Sequence, residues 1–312
     1  MHRFFSLAVA ALLFLSPVPA GAGTYPDHPV TVLTMTNPGA QIDLLTRALA
    51  DRMKDILGQP VLVSNKPGGS HGSVMASELA AAPKDGYTLG VSATAAFTYS
   101  PHVVRTTYKL DDFDYITLLG LNQSGIICAP DRPWNTLKDA FAWAKKEGKG
   151  LTYMFQGSDD RDALKRIAAK EGVQLSLMPS TGGPSIITAV MGGHADLGHT
   201  GAILFDYVTG KKIKCIAATI PVRLAELPDV PTLREQGWDE SVEMYLVLAA
   251  PKGLPDDVRQ RLAEVVETVR NDKSFAAFMT EKLHMQAVTM GTEEAQKYMH
   301  EASERFAKSV SK

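Results

Sequence analysis

Short β-branched runs alternate with longer amphipathic stretches along most of this 312-residue chain, and that alternation restricts the fold more than any other feature. Val30-Thr31-Val32-Leu33-Thr34-Met35 reads as a strand, and Ile42 to Leu57 as the helix after it. Val61-Leu62-Val63, Ser73 to Ala81 and Thr88-Leu89-Gly90-Val91 continue the pattern. Stacked β–α–β units of this kind place parallel strands under covering helices. A long extended segment, Tyr115 to Pro130, precedes a second series: helix Leu137 to Glu147, strand Leu151 to Phe155, helix Arg161 to Glu171, strand Gln174 to Met178, helix Ser185 to Met191 and strand Ile213 to Thr219. The apolar run Val242 to Ala250 is then stopped by Pro251-Lys252-Gly253-Leu254-Pro255, and helical patterns begin at Asp256. Two extended segments that bracket an α/β series are what a chain crossing twice between two lobes produces. The expected fold is therefore α/β and two-lobed, each lobe a mainly parallel sheet flanked by helices. Residues 23–124 and 248–312 would form a discontinuous first lobe and residues 125–247 the second. No internal repeat or low-complexity linker argues for separate beads.

The N-terminus has the layout of a secretory signal peptide: His2 and Arg3, an apolar run from Phe4 to Leu15, and Ala20-Gly21-Ala22 where a signal peptidase would cut. The run is shorter than the ~20 residues a spanning helix needs, and an uncleaved amphipathic anchor is the alternative. No cysteine stands beside the site to take a lipid. Cleavage near Ala22 would release a periplasmic protein of about 290 residues, enough for two domains. The formal net charge of −2 becomes one unit more negative without Arg3, which gives no electrostatic case for nucleic acid or an anionic membrane. Cys128 and Cys215 both lie in apolar strand-like runs. Two buried thiols are expected, with a disulfide as the alternative in an oxidising compartment.

Chemistry would concentrate at the strand-to-helix junctions. Asn37-Pro38-Gly39-Ala40-Gln41-Ile42-Asp43 and Asn65-Lys66-Pro67-Gly68-Gly69-Ser70-His71-Gly72 each follow a strand and open a helix. Ligands of open α/β sheets bind at the carboxyl ends of parallel strands, where glycines expose backbone N–H groups and a helix N-terminus favours an anion. A carboxylate suits such loops; read blandly, they are only tight turns. Further junctions occur at Gln156-Gly157-Ser158, Ser180-Thr181-Gly182-Gly183-Pro184 and Gly198-His199-Thr200-Gly201. Asp159, Asp160 and Asp162 suit helix capping, and Arg161 would meet either a ligand carboxylate or its acidic neighbours. Phe97, Tyr99 and Tyr207 would be walls of a shared cleft or ordinary core.

Other chemistries lack their motifs. Neither a P-loop nor Gly-x-Gly-x-x-Gly follows the first strand, so no nucleotide cofactor is expected. Gly68-Gly69-Ser70-His71-Gly72 fits the bare Gly-x-Ser-x-Gly pattern, but the adjacent Ser70 and His71 are neighbours of a kind that rarely reach each other productively. His194 and His199 lack metal-ligand spacing.

The order of motifs resembles the Bug family, the solute receptors of tripartite tricarboxylate transporters. The likeness is carried by Tyr25-Pro26-Asp27-His28-Pro29-Val30, Leu57-Gly58-Gln59-Pro60-Val61, Asn65-Lys66-Pro67-Gly68-Gly69 and Pro83-Lys84-Asp85-Gly86-Tyr87-Thr88-Leu89, then by Gly192-Gly193-His194-Ala195-Asp196 and Leu227-Pro228-Asp229-Val230-Pro231-Thr232. It implies a Venus-flytrap fold of the type II class, with a carboxylate held by backbone amides and waters of the first lobe and covered by the second. On matching positions it implies ligand contacts from Pro38, Gly39 and Asp43, from Gly68 and Gly72, from Ser92 and Thr94, and from Gly157, Ser158, Gly182, Gly183 and Pro184. The chain departs from the family at Ala40 and Gln41, where glycines are usual, at Asp159–Asp162, where a Ser/Gly/His-rich loop is usual, and at His199 with Thr200, near which an Asp is common. Gln41 and His199 are thus expected to make side-chain contacts, and the acidic cluster leaves room for a ligand with a cationic or amide group.

The leading expectation is a monomeric, non-catalytic receptor that takes no metal, captures a small organic carboxylate and delivers it to a membrane permease. A periplasmic enzyme using His199 with Asp43 as acid and base is the alternative, and a sensory receptor with the same cleft is a third.

Overall fold

The first helix forms where the sequence places its apolar residues on one face. Ile42, Leu45, Leu49 and Met53 are buried along α1 (Gln41–Leu57), which ends where Gly58 takes the left-handed conformation at φ 70° and donates its N–H to Lys54 O. The computed structural model describes residues 25–288 and 290–310; the expected signal peptide, residues 1–22, lies outside them. Along the described chain β1 (Val30–Thr34), α1, β2 (Val61–Asn65), α2 (Ser73–Ala80), β3 (Thr88–Ala93), α3 (Ala95–Thr98), α4 (Ser100–Val103) and β4 (Phe113–Asn122) come first. There follow β5 (Gly125–Cys128), α5 (Leu137–Glu147), β6 (Leu151–Phe155), α6 (Ser158–Glu171), β7 (Leu175–Pro179), α7 (Gly183–Met191), β8 (Leu197–Thr200), α8 (Leu204–Thr209) and β9 (Lys214–Ala218). The chain closes with β10 (Tyr245–Pro251), α9 (Asp256–Arg270), α10 (Lys273–Ala277), β11 (Met285–Ala287) and α11 (Thr292–Val310).

The strands form two sheets, ordered β11-β4-β10-β3-β1-β2 and β7-β6-β8-β5-β9, so the fold is two-lobed α/β. Both sheets are mixed rather than mainly parallel. Parallel pairing joins β1 to β2 and β3, and β6 to β7 and β8, whereas β10 runs antiparallel to β3 and β4, and β5 antiparallel to β8 and β9. The reason lies in the crossings. A chain that enters a lobe from the cleft must run away from it, opposite to strands whose carboxyl ends face the cleft. The strands β5 and β10 are those entries, one in each lobe.

The crossings are Gln123-Ser124 and residues 219–244, of which Leu233 and Trp238 still pack in the second lobe, and they are tied together. Thr219 N donates to Ser124 O at 3.0 Å, Val242 N to Thr219 O at 2.7 Å and Asn122 N to Met244 O at 3.0 Å. Buried Gln123 spans both lobes: its Oε1 accepts from Ala225 N at 2.7 Å and its Nε2 donates to His284 O at 3.0 Å. The first sheet draws on residues up to 122 and again from Tyr245, three residues ahead of the expected return at 248.

Three apolar clusters pack the layers. Leu45, Leu49 and Met53 meet Val265 and Val269 on one side of the first sheet. Trp134, Phe141, Tyr153 and Trp238 fill one side of the second sheet with Cys128, whereas Cys215 lies in a different cluster with Ile127 and Ile186. The two cysteines are free and buried on opposite faces of adjacent strands, a geometry a disulfide cannot bridge. Burial pushes their thiols up to about 11 for Cys128 and about 12 for Cys215, so both are poor nucleophiles.

Candidate ligand-binding site

Second-lobe residues build the inner wall of the cleft. At the carboxyl end of β6 the chain turns into α6 through Gly157, and buried Asp160, in the first turn, folds back on the turn itself. Its carboxylate accepts from Gln156 N at 3.1 Å, Gly157 N at 2.6 Å and the Tyr153 hydroxyl at 2.7 Å. This is a self-capped helix start, which fixes the turn while leaving Gly157 and Ser158 at the cleft. His199, on β8, stands beside it, 6% exposed. Its Nδ1 lies 3.5 Å from Asp160 Oδ2, too far for a formed hydrogen bond, and has no other partner. Its Nε2 is 3.1 Å from Thr219 Oγ1, which is 2.7 Å from Ser124 Oγ, so the wall is hydrogen-bonded to both crossings.

Across the cleft, Tyr99 reaches from the first lobe to place its hydroxyl 2.8 Å from Ser158 Oγ. Its ring meets His71 and Phe306 edge-on, each at 5.2 Å between centroids. Between these walls lies a cavity of about 260 Å³, lined from the first lobe by His71, Thr94, Tyr99 and Phe306, from the second by Gln156 to Asp160, His199 and Gly201, and from the crossings by Asn122, Ser124, Val242, Glu243 and Met244. A wider outer cleft of about 540 Å³ shares Tyr99, Ser158, Asp159 and Glu243 with it. The inner volume is at the small end for ligand sites.

Of the residues picked from the sequence, Thr94, Gly157, Ser158 and His199 line this cavity. The first loop does not: Pro38 and Gly39 are exposed, Ala40 and Gln41 half-buried. Buried Asp43 holds that loop together, accepting from Gly39 N at 2.8 Å, Asn65 Nδ2 at 2.8 Å and Arg47 Nε at 3.0 Å. Burial opposes its charge, but Arg47, Asn65 and the Gly39 N–H outweigh that and keep the carboxyl below its ordinary range. Gln41 ties the loop inward, donating to Leu283 O at 2.5 Å and approaching Asn122 Oδ1 at 3.5 Å.

In the second loop Gly68 is exposed, whereas Gly72 is buried at φ 94°, where a Cβ would stand 2.7 Å from Met35 Cβ. Its glycine is dictated by that contact, and a side chain there would meet Met35. Ser92 is buried with its hydroxyl 3.1 Å from Met35 Sδ. Gly183 and Thr200 pack on each other, a Cβ on Gly183 falling 2.8 Å from Thr200 Oγ1, and Gly182 opens α7 at φ 128°. Those three, like Ser92 and Gly72, are absent from the cavity lining.

The acid/base pair of His199 and Asp43 is not assembled, since Asp43 faces Gly39, Arg47 and Asn65 while His199 faces Asp160 and Thr219. Ser70 and His71 do touch, Oγ to Nδ1 at 3.2 Å, because His71 adopts φ 50° and turns its ring back. Of the aromatics, Tyr99 lines the site, Phe97 is core and Tyr207 packs at the core's edge. Arg161 pairs with Asp162 at 2.7 Å. Among the described residues no three His, Cys, Asp or Glu side chains group as a metal site, and no helix is long and apolar enough to cross a membrane.

The residues not picked come largely from the crossings. Their signal was present: Asn122-Gln123-Ser124 interrupts an apolar segment with three polar residues, and Ser241 and Glu243 stand just before another.

A cavity between two α/β lobes that are joined by two crossing segments is the architecture of two-lobed solute-binding proteins. The model of the tripartite tricarboxylate transporter family receptor matches residues 45–312. The UPF0065 protein in the gbd 5′ region of Cupriavidus necator is 31% identical over 286 residues, 89% of this chain and 87% of that one. A TctC solute-binding protein from Polaromonas, solved without ligand, superposes with a TM-score of 0.81 at 24% identity, over 92% of this chain and 99% of that one. The R. palustris protein Rpa4515, solved with adipate, gives 0.71 at 21% identity, over 91% and 96%. The chain belongs to the tripartite tricarboxylate transporter receptor family.

Proposed function

We propose that this protein is a periplasmic receptor that closes on a small organic carboxylate and presents it to the membrane permease of a tripartite tricarboxylate-type transporter. The observation that carries the reading is the cavity of about 260 Å³ between the lobes, with the Gly157–Ser158 helix start in its wall and the Tyr99–Ser158 bond joining its two sides. The start of α6 offers N–H groups and the positive end of a helix dipole to an anion, and Ser158, Thr94 and Asn122 add side-chain partners. Family membership and the adipate bound by a protein of the same fold favour a carboxylate over other small anions.

Closure follows from the crossings. The lobes would rotate about Gln123-Ser124 and residues 219–244, and ligand contacts on both walls would favour the closed form. The closed form would then dock on the permease as a monomer, and the leader would be removed on export. No chemistry on the ligand is required.

A thermal-shift panel of di- and tricarboxylates, aromatic acids and amino acids tests this. A ligand at one hundred times its dissociation constant stabilises the native state by about 2.7 kcal/mol, an upward shift of a few degrees. A panel in which no carboxylate raises the melting temperature would remove the reading.

A further inference from the structure

The inner cavity is charged the wrong way for a site that sees only acids. Its lining contains the carboxyl groups of Asp159, Asp160 and Glu243 and, among the described residues, neither a lysine nor an arginine. Guanidinium groups appear only in the outer cleft, and three of the four are already paired: Arg161 with Asp162 at 2.7 Å, Arg166 with Glu240 at 2.7 Å and Arg234 with Asp239 at 3.3 Å. The fourth, Arg305, lies over the Tyr298 ring at 5.5 Å. A ligand that carried anionic groups at every point would meet like charge on the inner wall.

A second observation is independent of the carboxylates. His199 is buried in that wall, and its Nδ1 has no hydrogen-bond partner. Buried polar atoms are normally paired, and an unpaired one in a residue that lines a cavity calls for an explanation, which a ligand group would supply. When Nε2 carries the ring proton and donates to Thr219 Oγ1, Nδ1 is an acceptor that faces Asp160 Oδ2 across 3.5 Å. Asp160 Oδ2 already accepts from the Tyr153 hydroxyl and Gln156 N, so the atom that an N–H group would complete here is His199 Nδ1. In all, Asp160 accepts from three protein donors. Glu243, at 2.6 Å from Ser241 Oγ, brings a further acceptor from the return crossing.

We propose that the ligand carries, besides its carboxylate, a nitrogen-borne hydrogen-bond donor, and that Asp159, Asp160 and His199 on the second lobe, with Glu243, receive this group. The assignment rests on the carboxylate-receptor reading and narrows it. An amino group and a primary carboxamide share the required chemistry, and the charge of the wall is greatest help to the former.

Isothermal titration with two matched sets on the signal-free chain tests the assignment: succinate, succinamate and aspartate, then glutarate, glutaramate and glutamate. In at least one set a nitrogen-bearing member is expected to bind ten-fold or more tightly than its plain diacid, the amide and amine arms telling which nitrogen is read. Asp159→Asn and Glu243→Gln should each cut that preference at least three-fold. Asp160→Asn should do the same, but it also touches the helix cap, so the two other variants carry the test if it misfolds. Diacids that bind as tightly as their partners in both sets, or a preference that survives Asp159→Asn and Glu243→Gln, would overturn the nitrogen subsite and leave carboxylate capture standing. Failure of all six compounds to bind, together with a flat thermal-shift panel, would overturn both.

Discussion

The two lobes present similar Gly-bearing junctions to the cleft and use them in opposite ways. In the first lobe, the loop from Pro38 to Asp43 closes on itself: Asp43 takes up Gly39 N, Asn65 and Arg47, and none of the loop's residues lines the cavity. In the second lobe Asp160 also caps its own turn, yet Gly157 and Ser158 remain at the cavity. A carboxylate in the first turn of a helix therefore does not tell whether the loop is a site. The difference lies in what each loop meets: Gln41 ties the first to Leu283 O, whereas Ser158 in the second meets Tyr99 from the other lobe.

The largest effect is expected where the first lobe has no room. Gly72→Val puts a branched side chain at φ 94° and 2.7 Å from Met35 Cβ. Strain and overpacking should together lower unfolding free energy by about 3 kcal/mol or more in urea titration. If the variant is as stable as wild type, the close approach of the second loop to Met35 is wrong.

Next comes Asp43→Ala, which removes an acceptor shared by three donors and should cost about 1.5–3 kcal/mol. The sign of its pH dependence follows from its lowered pKa. The folded protein holds the carboxylate ionised below the unfolded value of about 3.9, so its contribution is present above that pH and is lost as pH falls through the folded value. Asp43→Ala should therefore be relatively less damaging at pH 3 than at pH 7. An equal loss at both would show that Arg47 and Asn65 do not hold the charge.

Removing the contact between the lobes should be milder. Tyr99→Phe deletes the hydroxyl that meets Ser158 Oγ and should leave global stability within about 1 kcal/mol. Ligand affinity should fall several-fold, since this bond joins the two walls of the cavity. An affinity unchanged by Tyr99→Phe would mean that the bond plays no part in closure. The smallest effect concerns thiols: Cys128 and Cys215 should stay unreactive to a thiol reagent at pH 8 until denaturant is added, and rapid native labelling of either would contradict their burial.

Much of the architecture was legible in the chain because its periods are strong. Leu137 to Glu147 and Leu151 to Phe155 fall where periodicity puts them, and Gly58 and Gly148 mark helix ends by the left-handed conformation that glycine favours. The short strand Met285–Ala287 was hidden inside a helical pattern, because it exists only by pairing with Gly120 to Asn122, far away in sequence. The mixed character of the sheets was likewise invisible, since strand direction depends on where the chain enters each lobe.

The site was less legible. Thr94, Gly157, Ser158 and His199 follow from the junction rule, which also selects Gly183 and Thr200, outside this cavity's lining and packed on each other. Asn122, Ser124 and Glu243 reach the cavity because the crossings run along its floor, and Phe306 because the last helix folds back over Tyr99. Such placements depend on tertiary contacts rather than on local pattern. Cys128 and Cys215 show the same limit, since their residence on opposite sheet faces follows from the pairing of β5 with β9.

The account turns on ligand being held between the lobes, and Gly201→Phe probes that most directly. A Cβ at Gly201 meets Asn122 Nδ2 at an ordinary 3.5 Å, so the fold has room for it, while the added ring would project into the cavity that Gly201 lines. Titration calorimetry with the tightest carboxylate of the panel should give one site per chain in the wild type, with the ligand recovered unchanged. Gly201→Phe should abolish the heat of binding while unfolding stays cooperative. Binding of the same carboxylate with the same affinity by Gly201→Phe would place the site elsewhere and contradict the account.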